Sequence, residues 1–376
     1  MLRGRYGDFL MFNNFYNGKK VLVTGHTGFK GSWLSNWLIS LGADVYGLSD
    51  GINTTPSLFE ITNLEENIRH HICDVTKTKE IKAVLNDIKP DVMFHLAAQA
   101  IVSSSYENPL ETIMTNSYGT ANVCDFLKDF DNEITCVLIT SDKCYENVEW
   151  EYGYREDDTL GGKDIYSSSK ACAEIIYSSY FNSFLKHNSN ISICSARAGN
   201  VIGGGDWAKD RIVVDMIKSW SNGEPVKIRS PHATRPWQHV LEPLSGYLHL
   251  AERLSSDDGL NGQSFNFGPK AEQNRTVINL ADDLYKKLSS NISSKSAYEI
   301  IDNKPFHEAG LLKLSCDKAL MHLNWEANLS YDDCVDFIGE WYSAYLENGN
   351  MPKITSDQIH KYTELAHKKN LKWTQN

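Results

Sequence analysis

The sequence predicts an α/β fold, a doubly wound parallel sheet carrying a smaller, irregular C-terminal lobe. Three observations predict it. Short apolar runs alternate regularly with stretches of helical periodicity up to Ala196. The stretch TGHTGFKG, Thr24 to Gly31, sets three glycines between an apolar run and an amphipathic one. Beyond Ala196 the alternation gives way to glycine-rich and polar segments such as GNVIGGGDWAKDR and LSSNISSKS.

Taken in order, the spacing predicts strands over Lys20–Thr24, Asp44–Leu48, His70–Cys73, Val92–Leu96, Cys136–Thr140 and Ile191–Ala196. Helices are predicted over Gly31–Leu41, Ile81–Ile88, Leu110–Phe126 and Tyr166–Leu185. Runs without polar alternation suit strands buried on both faces, and repeated strand–helix–strand order implies parallel pairing with helices on either side. Residues 1–18 read as an N-terminal extension. The first domain takes 19–197 plus 238–264, and the second lobe takes 198–237 plus 265–376, laid over the open edge of the sheet. No internal repeat, signal peptide or membrane-length apolar run is seen.

The glycines sit where a strand turns into a helix. Gly25 permits the tight turn, Gly28 lets the backbone approach a pyrophosphate, and Gly31 lets the helix pack closely, while unpaired helix N–H groups face the phosphates. This is the pattern of a dinucleotide site. A net charge of −11 argues against a nucleic-acid or anionic-membrane partner, so an anionic small ligand would need local cations. The eight cysteines form no CxxC pair and fall largely in apolar runs. They read as reduced core thiols rather than a disulfide frame or metal site, and the compartment as cytoplasmic.

YSSSK, Tyr166 to Lys170, places a tyrosine and a lysine one helical turn apart on one face. A free phenol has a pKa of about 10, and a neighbouring ammonium favours its anion, so the pair suits proton exchange with a substrate hydroxyl. Thr140–Lys143 ends the fifth strand at the carboxyl edge, facing the same crevice. There Ser141 can hydrogen-bond a reacting oxygen, and Asp142 can donate a proton if burial raises its pKa.

TGHTGFKG, HLAAQ, TNSYGT, TSDKCYEN, YSSSK and RAGNVIGGGDWAKDR together resemble the extended short-chain dehydrogenase/reductase superfamily, whose fold is of Rossmann type. More narrowly, GHTGFKGSWL, PSLFE, SDKCYEN, NVIGGGDWAKDR, RPWQHVLEPLSGY and HEAGLLKL resemble the CDP-glucose 4,6-dehydratase family, from about Lys19 to Trp341. The resemblance implies a lyase that recycles NAD. Tyr166, with Lys170 and Ser141, would take the proton of the carbon-4 hydroxyl as the hydride leaves. Asp142 would protonate the departing carbon-6 hydroxyl, and the hydride would return to carbon 6. Lys143 stands where the dTDP-glucose enzymes carry an acidic residue, either as a neutral base for the carbon-5 proton or as a cation stabilising the enolate.

For the cofactor the resemblance implies Gly25, Thr27, Gly28, Phe29, Lys30 and Gly31 in the loop, Asp50 at the ribose, Asp74 at the adenine, Ala97 and Gln99 beside the cofactor at the end of the fourth strand, and Tyr166 and Lys170 as further cofactor contacts. For a CDP-glucose substrate it implies Asn200, Arg211 and Arg235 around the diphosphate, with His307 and Glu308 near the nucleotide. Asn116 reads as a positioning residue and His95 as a core histidine. Apolar faces on the Leu110–Phe126 and Tyr166–Leu185 helices suit the superfamily's homodimer, with a homotetramer open. Three other readings stay open: a nucleotide-sugar 4-epimerase, which needs no acid at carbon 6, a 4,6-dehydratase for another nucleotide sugar, and a non-catalytic dinucleotide sensor.

Overall fold

The computed structural model describes residues 11–270, 273–301 and 311–375. Six of the apolar runs form parallel strands: β1 (Lys20–Thr24), β2 (Asp44–Ser49), β3 (Arg69–Ile72), β4 (Val92–His95), β5 (Ile134–Ile139) and β6 (Ile191–Ala198). A seventh strand, Ser264–Phe267, pairs parallel with β6. The boundary drawn at 264 therefore falls inside a strand of the main sheet. From one edge the order is Ser264–Phe267, β6, β5, β4, β1, β2, β3. The direction of winding reverses between β1 and β4, which opens a crevice at their carboxyl ends, where such sheets take their ligands.

Every residue of β4 and β5 is buried, as expected of central strands covered on both faces. The predicted Leu110–Phe126 helix is interrupted. Pro109–Ile113 runs into a π turn at Met114–Tyr118, and the α-helix resumes over Gly119–Lys128. The turn carries Asn116 inward. Its amide nitrogen donates to the Gln99 carbonyl (3.0 Å) and to Ser169 Oγ (2.8 Å), and its Oδ1 accepts from the Gln99 N–H (2.8 Å). Single π turns of this kind recur at functional sites.

Two tryptophans on the Phe29–Ser40 helix, Trp33 and Trp37, are fully buried and need an apolar cover. Residues assigned to the extension and to the second lobe supply it. Trp37 meets Tyr362 edge-on at 5.6 Å, and Phe12 stacks on Trp373 at 5.1 Å. Tyr16 Oη donates to the Leu248 carbonyl at 2.6 Å. The chain from Met11 and the Met351–Lys368 helix thus close over the first domain. The second lobe proper is built from the Ile212–Ser221 helix and short strand pairs, Val226–Ile228 with Tyr298–Ile300 and Thr234–Pro236 with Asn274–Thr276.

Candidate active site

The glycine loop has the geometry of a backbone cradle. Gly25 has φ +73°, and a Cβ there would stand 2.9 Å from Ala97 Cα. At Gly31 a Cβ would fall 2.2 Å from the Gly25 carbonyl oxygen, so helix and loop touch through that position. Gly28 caps the Phe29–Ser40 helix with no side chain in the way and is exposed to the crevice. The first helical N–H groups are left to face a bound anion. Thr27 Oγ1 hydrogen-bonds the Gly51 carbonyl (2.6 Å) and Ser49 Oγ (2.7 Å), which ties the loop to the end of β2.

Gly25, Thr27, Gly28, Phe29, Lys30, Gly31, Asp50, Asp74, Ala97 and Gln99 all line one cavity of about 760 Å³, together with Ser141, Asp142, Lys143, Tyr166 and Lys170. Asp50 is exposed at its rim. Asp74 accepts from the Thr76 N–H and hydroxyl, both at 2.8 Å, which fixes its carboxylate at the end of β3. Ala97 N donates to Thr24 Oγ1 (3.1 Å), and Gln99 Nε2 donates to Thr112 Oγ1 (2.8 Å). His95 bonds Thr24 Oγ1 through Nδ1 at 2.8 Å, and burial lowers its pKa to about 3, so it is a neutral core histidine. His26 is also fully buried, its Nε2 2.7 Å from His70 Nδ1.

On the other wall Ser141, Asp142, Tyr166 and Lys170 are all buried. Ser141 Oγ donates to Asp142 Oδ1 at 2.9 Å, and Asp142 Oδ2 has no partner. That oxygen faces Gly199, where a Cβ would approach it to 3.1 Å. Burial pushes the Tyr166 phenol above its ordinary pKa, while the Arg211 charge and a hydrogen bond with Ser141 pull it down. The net direction is upward, against the expectation that Lys170 brings the phenol toward its anion: the desolvation of a buried phenol outweighs the Arg211 charge and the Ser141 hydrogen bond. Lys170 itself is lowered to about 8, by burial first.

Asn200, Arg211, Arg235 and Lys143 line a second cavity of about 340 Å³. Lys143, Asn200 and Arg211 line both cavities, so the two form one cleft. Arg211 donates to the Ala100 carbonyl at 3.0 Å, and Asn200 Nδ2 is buried without a partner. Lys30 falls to about 8, by burial and then by the charges of Arg211 and Lys170. Three cations thus crowd one cleft of an acidic chain, an arrangement that an anionic ligand relieves. His307 and Glu308 lie outside the described residues.

The GDP-mannose 4,6 dehydratase family model matches residues 22–337. The chain belongs to that family. It is 43% identical to the CDP-glucose 4,6-dehydratase of Salmonella typhimurium (strain LT2), over 93% of this chain and 97% of that protein. It is 22% identical to the dTDP-glucose 4,6-dehydratase of Haemophilus influenzae, over 86% of this chain and 97% of that one. Among solved structures, an epimerase of Methanothermobacter thermautotrophicus superposes with a TM-score of 0.75 at 22% identity, covering 90% of this chain and 96% of that chain. A dTDP-glucose 4,6-dehydratase of Bacillus anthracis, in complex with NAD, gives 0.72 at 16% identity over 89% and 100%. At these identities the structural likeness speaks for the fold alone.

Within this family member the sequence reading passed over a buried ion pair. Arg197 Nη2 meets Glu174 Oε2 at 2.7 Å, with both side chains all but inaccessible. Glu174 lies one turn beyond Lys170 on the Ile165–Ser183 helix, and Arg197 is the next-to-last residue of β6. The available signal was a charged residue inside an otherwise apolar strand, RAGN after ISICSA.

Proposed function

We propose that the chain is an NAD-dependent CDP-glucose 4,6-dehydratase, giving CDP-4-dehydro-6-deoxy-glucose with release of one water. The observation that carries the reading is the buried Asp142 on the cleft wall beside Ser141 and Tyr166, with one carboxyl oxygen unpartnered. An epimerase has no use for an acid at carbon 6, and a dinucleotide sensor has no use for Tyr166, Lys170 or Asp142. The relative that is 43% identical over nearly its whole length supports CDP-glucose among nucleotide sugars.

The residues fit a dinucleotide: the loop from Gly25 to Gly31 is closed to any Cβ at its turn and open at Gly28, and Lys30 stands beside it. On this reading Asp50 meets the ribose hydroxyls and Asp74 the adenine, with Ala97 and Gln99 beside the cofactor at the end of β4; all four line the same cavity. Held there, NAD would supply the acceptor for the carbon-4 hydride and the donor of the same hydride to carbon 6. Tyr166 Oη takes the carbon-4 hydroxyl proton, aided by Ser141 and the Lys170 charge. The resulting ketone acidifies the carbon-5 proton, and Lys143 at the cleft wall either removes it or stabilises the enolate. Asp142 delivers a proton to the carbon-6 oxygen, which leaves as water. Arg211 and Arg235 hold the diphosphate as charge-assisted donors, with Asn200 at the sugar phosphate and His307 and Glu308 toward the nucleotide.

The partner reading is a homodimer through the exposed apolar residues of the paired helices, with a homotetramer as its larger form. No helix among the described residues is long and apolar enough to cross a membrane, and all eight cysteines are free. Both fit an enzyme of the cytoplasm.

The deciding experiment incubates the purified protein with CDP-, dTDP-, GDP- and UDP-glucose in deuterated water and records product masses. Loss of one water from CDP-glucose, with one deuterium at carbon 5, is the expected result. An unchanged mass with a new 4-epimer moves the reading to an isomerase, and turnover of another nucleotide sugar in place of CDP-glucose moves the substrate.

A further inference from the structure

Glu174 ties three neighbouring strands of the main sheet to one helix. Its Oε1 accepts from Thr140 Oγ1, the residue before Ser141. Its Oε2 accepts from Ser195 Oγ (2.8 Å), from Arg197 Nη2 (2.7 Å) and from Ser264 Oγ (3.3 Å). One carboxylate therefore reaches the end of β5, the end of β6 and the start of the Ser264–Phe267 strand. It does so from the helix that carries Tyr166 and Lys170, four residues C-terminal to Lys170 and on the same face.

Arg197 extends the connection toward the substrate side. Its Nη1 donates to Tyr145 Oη (2.8 Å) and to the Glu156 carbonyl (2.9 Å), and its guanidinium lies over the Tyr145 ring at 5.1 Å. Tyr145 follows Lys143 by two residues and lines the smaller cavity. The pair thus joins the two halves of the site, the helix with Tyr166 and Lys170 and the strand end with Ser141, Asp142 and Lys143. A buried ion pair is weak evidence for stability in itself, because desolvation offsets the attraction, and its best-attested use is to fix one arrangement of the elements it joins.

We propose that Glu174, paired with Arg197, is a positioning residue for the reaction, the carboxylate that sets the Tyr166–Lys170 helix in register with the Ser141–Lys143 strand end. This rests on the reading of the site as a 4,6-dehydratase centre for its kinetic readout, but not for its chemical one. Electrostatics follow from the placement. The groups acting on the Lys170 ammonium are Glu174 and Cys144, which raise its pKa, while Lys30 and His95 are themselves lowered by it. Removing the Glu174 charge leaves Arg197 unpaired on the same side, and both changes push Lys170 toward its neutral form.

The test compares wild type, Glu174→Gln and Glu174→Asp. The first readout needs no turnover: acetic anhydride labelling of Lys170 as a function of pH, quantified on its peptide by mass spectrometry. Glu174→Gln is expected to move the labelling midpoint down by about one pH unit, and Glu174→Asp to recover most of that shift. The second readout is kcat and KM for CDP-glucose across pH. The expected result is a loss of roughly tenfold or more in kcat with KM within about twofold, and an alkaline limb displaced to lower pH. A variant whose labelling rises equally at every pH, or whose kcat and profile stay as in wild type, overturns the proposal. So does a folded Glu174→Asp that is as impaired as Glu174→Gln. If wild type fails on CDP-glucose while the labelling midpoint still moves, the substrate reading fails and the positioning role stands.

Discussion

Ser141 Oγ donates to Asp142 Oδ1 over 2.9 Å, and the other oxygen of the same buried carboxyl meets no partner. The hydroxyl fixes the rotation of the carboxyl, and the unpartnered oxygen lies buried against Gly199, which with Asp142 lines the cleft. Asp142→Asn keeps the shape and removes the group that would give up a proton. It is expected to lower dehydration by about 10²–10⁴-fold, the usual range for one general acid, while leaving carbon-4 oxidation visible as absorbance of the reduced cofactor near time zero. A variant with wild-type water loss would take the acid role from Asp142.

Tyr166 calls for a different signature. Its phenol is held above the ordinary value by burial and drawn back by Arg211 and Ser141, so the site, not the residue type, sets when it can accept a proton. Tyr166→Phe is expected to lose at least about a hundredfold in kcat without release of the bound dinucleotide, because the cradle lies on the opposite wall. Arg211→Ala is expected to push the acid limb of the kcat profile to higher pH, since removing the cation raises the phenol further. Stopped-flow absorbance and a pH series measure both. An unmoved limb in Arg211→Ala would mean that the Arg211 charge does not reach the phenol.

The glycine loop separates packing from binding. A methyl at Gly31 would fall 2.2 Å from the Gly25 carbonyl oxygen, whereas one at Gly28 would find only that same oxygen at 3.4 Å. Gly31→Ala is therefore expected to shift the helix, lower the melting temperature by several degrees and lose the dinucleotide. Gly28→Ala should melt like wild type and bind the dinucleotide at least about tenfold more weakly, because its methyl stands where the phosphates approach. Calorimetric titration with NAD beside a thermal melt distinguishes the two.

Glu242 gives the protein a pH signature away from the cleft. It is fully buried, accepts from the N–H groups of Asn328 and Leu329 and from Tyr362 Oη, and burial pushes its pKa from 4.5 to about 7. Because the folded state holds this proton more tightly than the unfolded chain, the contribution is present below about pH 4.5 and is lost as pH rises through 7. Buried His26, lowered to about 4, acts with the opposite sign over the acid range. The difference between wild type and Glu242→Gln isolates the carboxyl. The variant should gain relative stability from pH 4.5 to 7, on the order of 3 kcal/mol in the pH-dependent part, and hold it above. Parallel urea melts at pH 4.5, 6, 7 and 8 would contradict this by giving a constant difference.

What the sequence made legible follows from which interactions are local. Strands buried on both faces announce themselves as unbroken apolar runs, and the glycine turn and the Tyr166–Lys170 spacing lie within one or two turns of chain. The π turn at Met114–Tyr118 is hidden because one extra residue per turn leaves the apolar spacing nearly intact. The Glu174–Arg197 pair is hidden because it depends on how the helix is set against β5 and β6, which no local spacing encodes. The same holds for Phe12 on Trp373, a contact between the two ends of the chain. Lys30, placed by sequence in the glycine loop, owes its lowered pKa first to burial and then to the charges of Arg211 and Lys170, neither of which is near it in sequence.

The apolar residues left outside the core are not scattered. Leu110 is 76% exposed, Ile175 52% and Phe184 51%, with Ile113, Met114 and Tyr118 also exposed, all on the two helical segments that pack on each other beside the site. Single exposed hydrophobics need no explanation, whereas a run of them along adjacent helices suits a surface for contact with another chain. A second copy meeting it through the same two helices would bury the patch under twofold symmetry, as the family resemblance implies. Light scattering is expected to give twice the chain mass for wild type and the single-chain mass for Leu110→Glu/Ile175→Glu, with the circular dichroism spectrum unchanged. Such an interface would include the site helix, Ile165–Ser183, so the separated chains should also lose kcat more than affinity for CDP-glucose. A double variant that keeps twice the chain mass would place the contact between copies on another face.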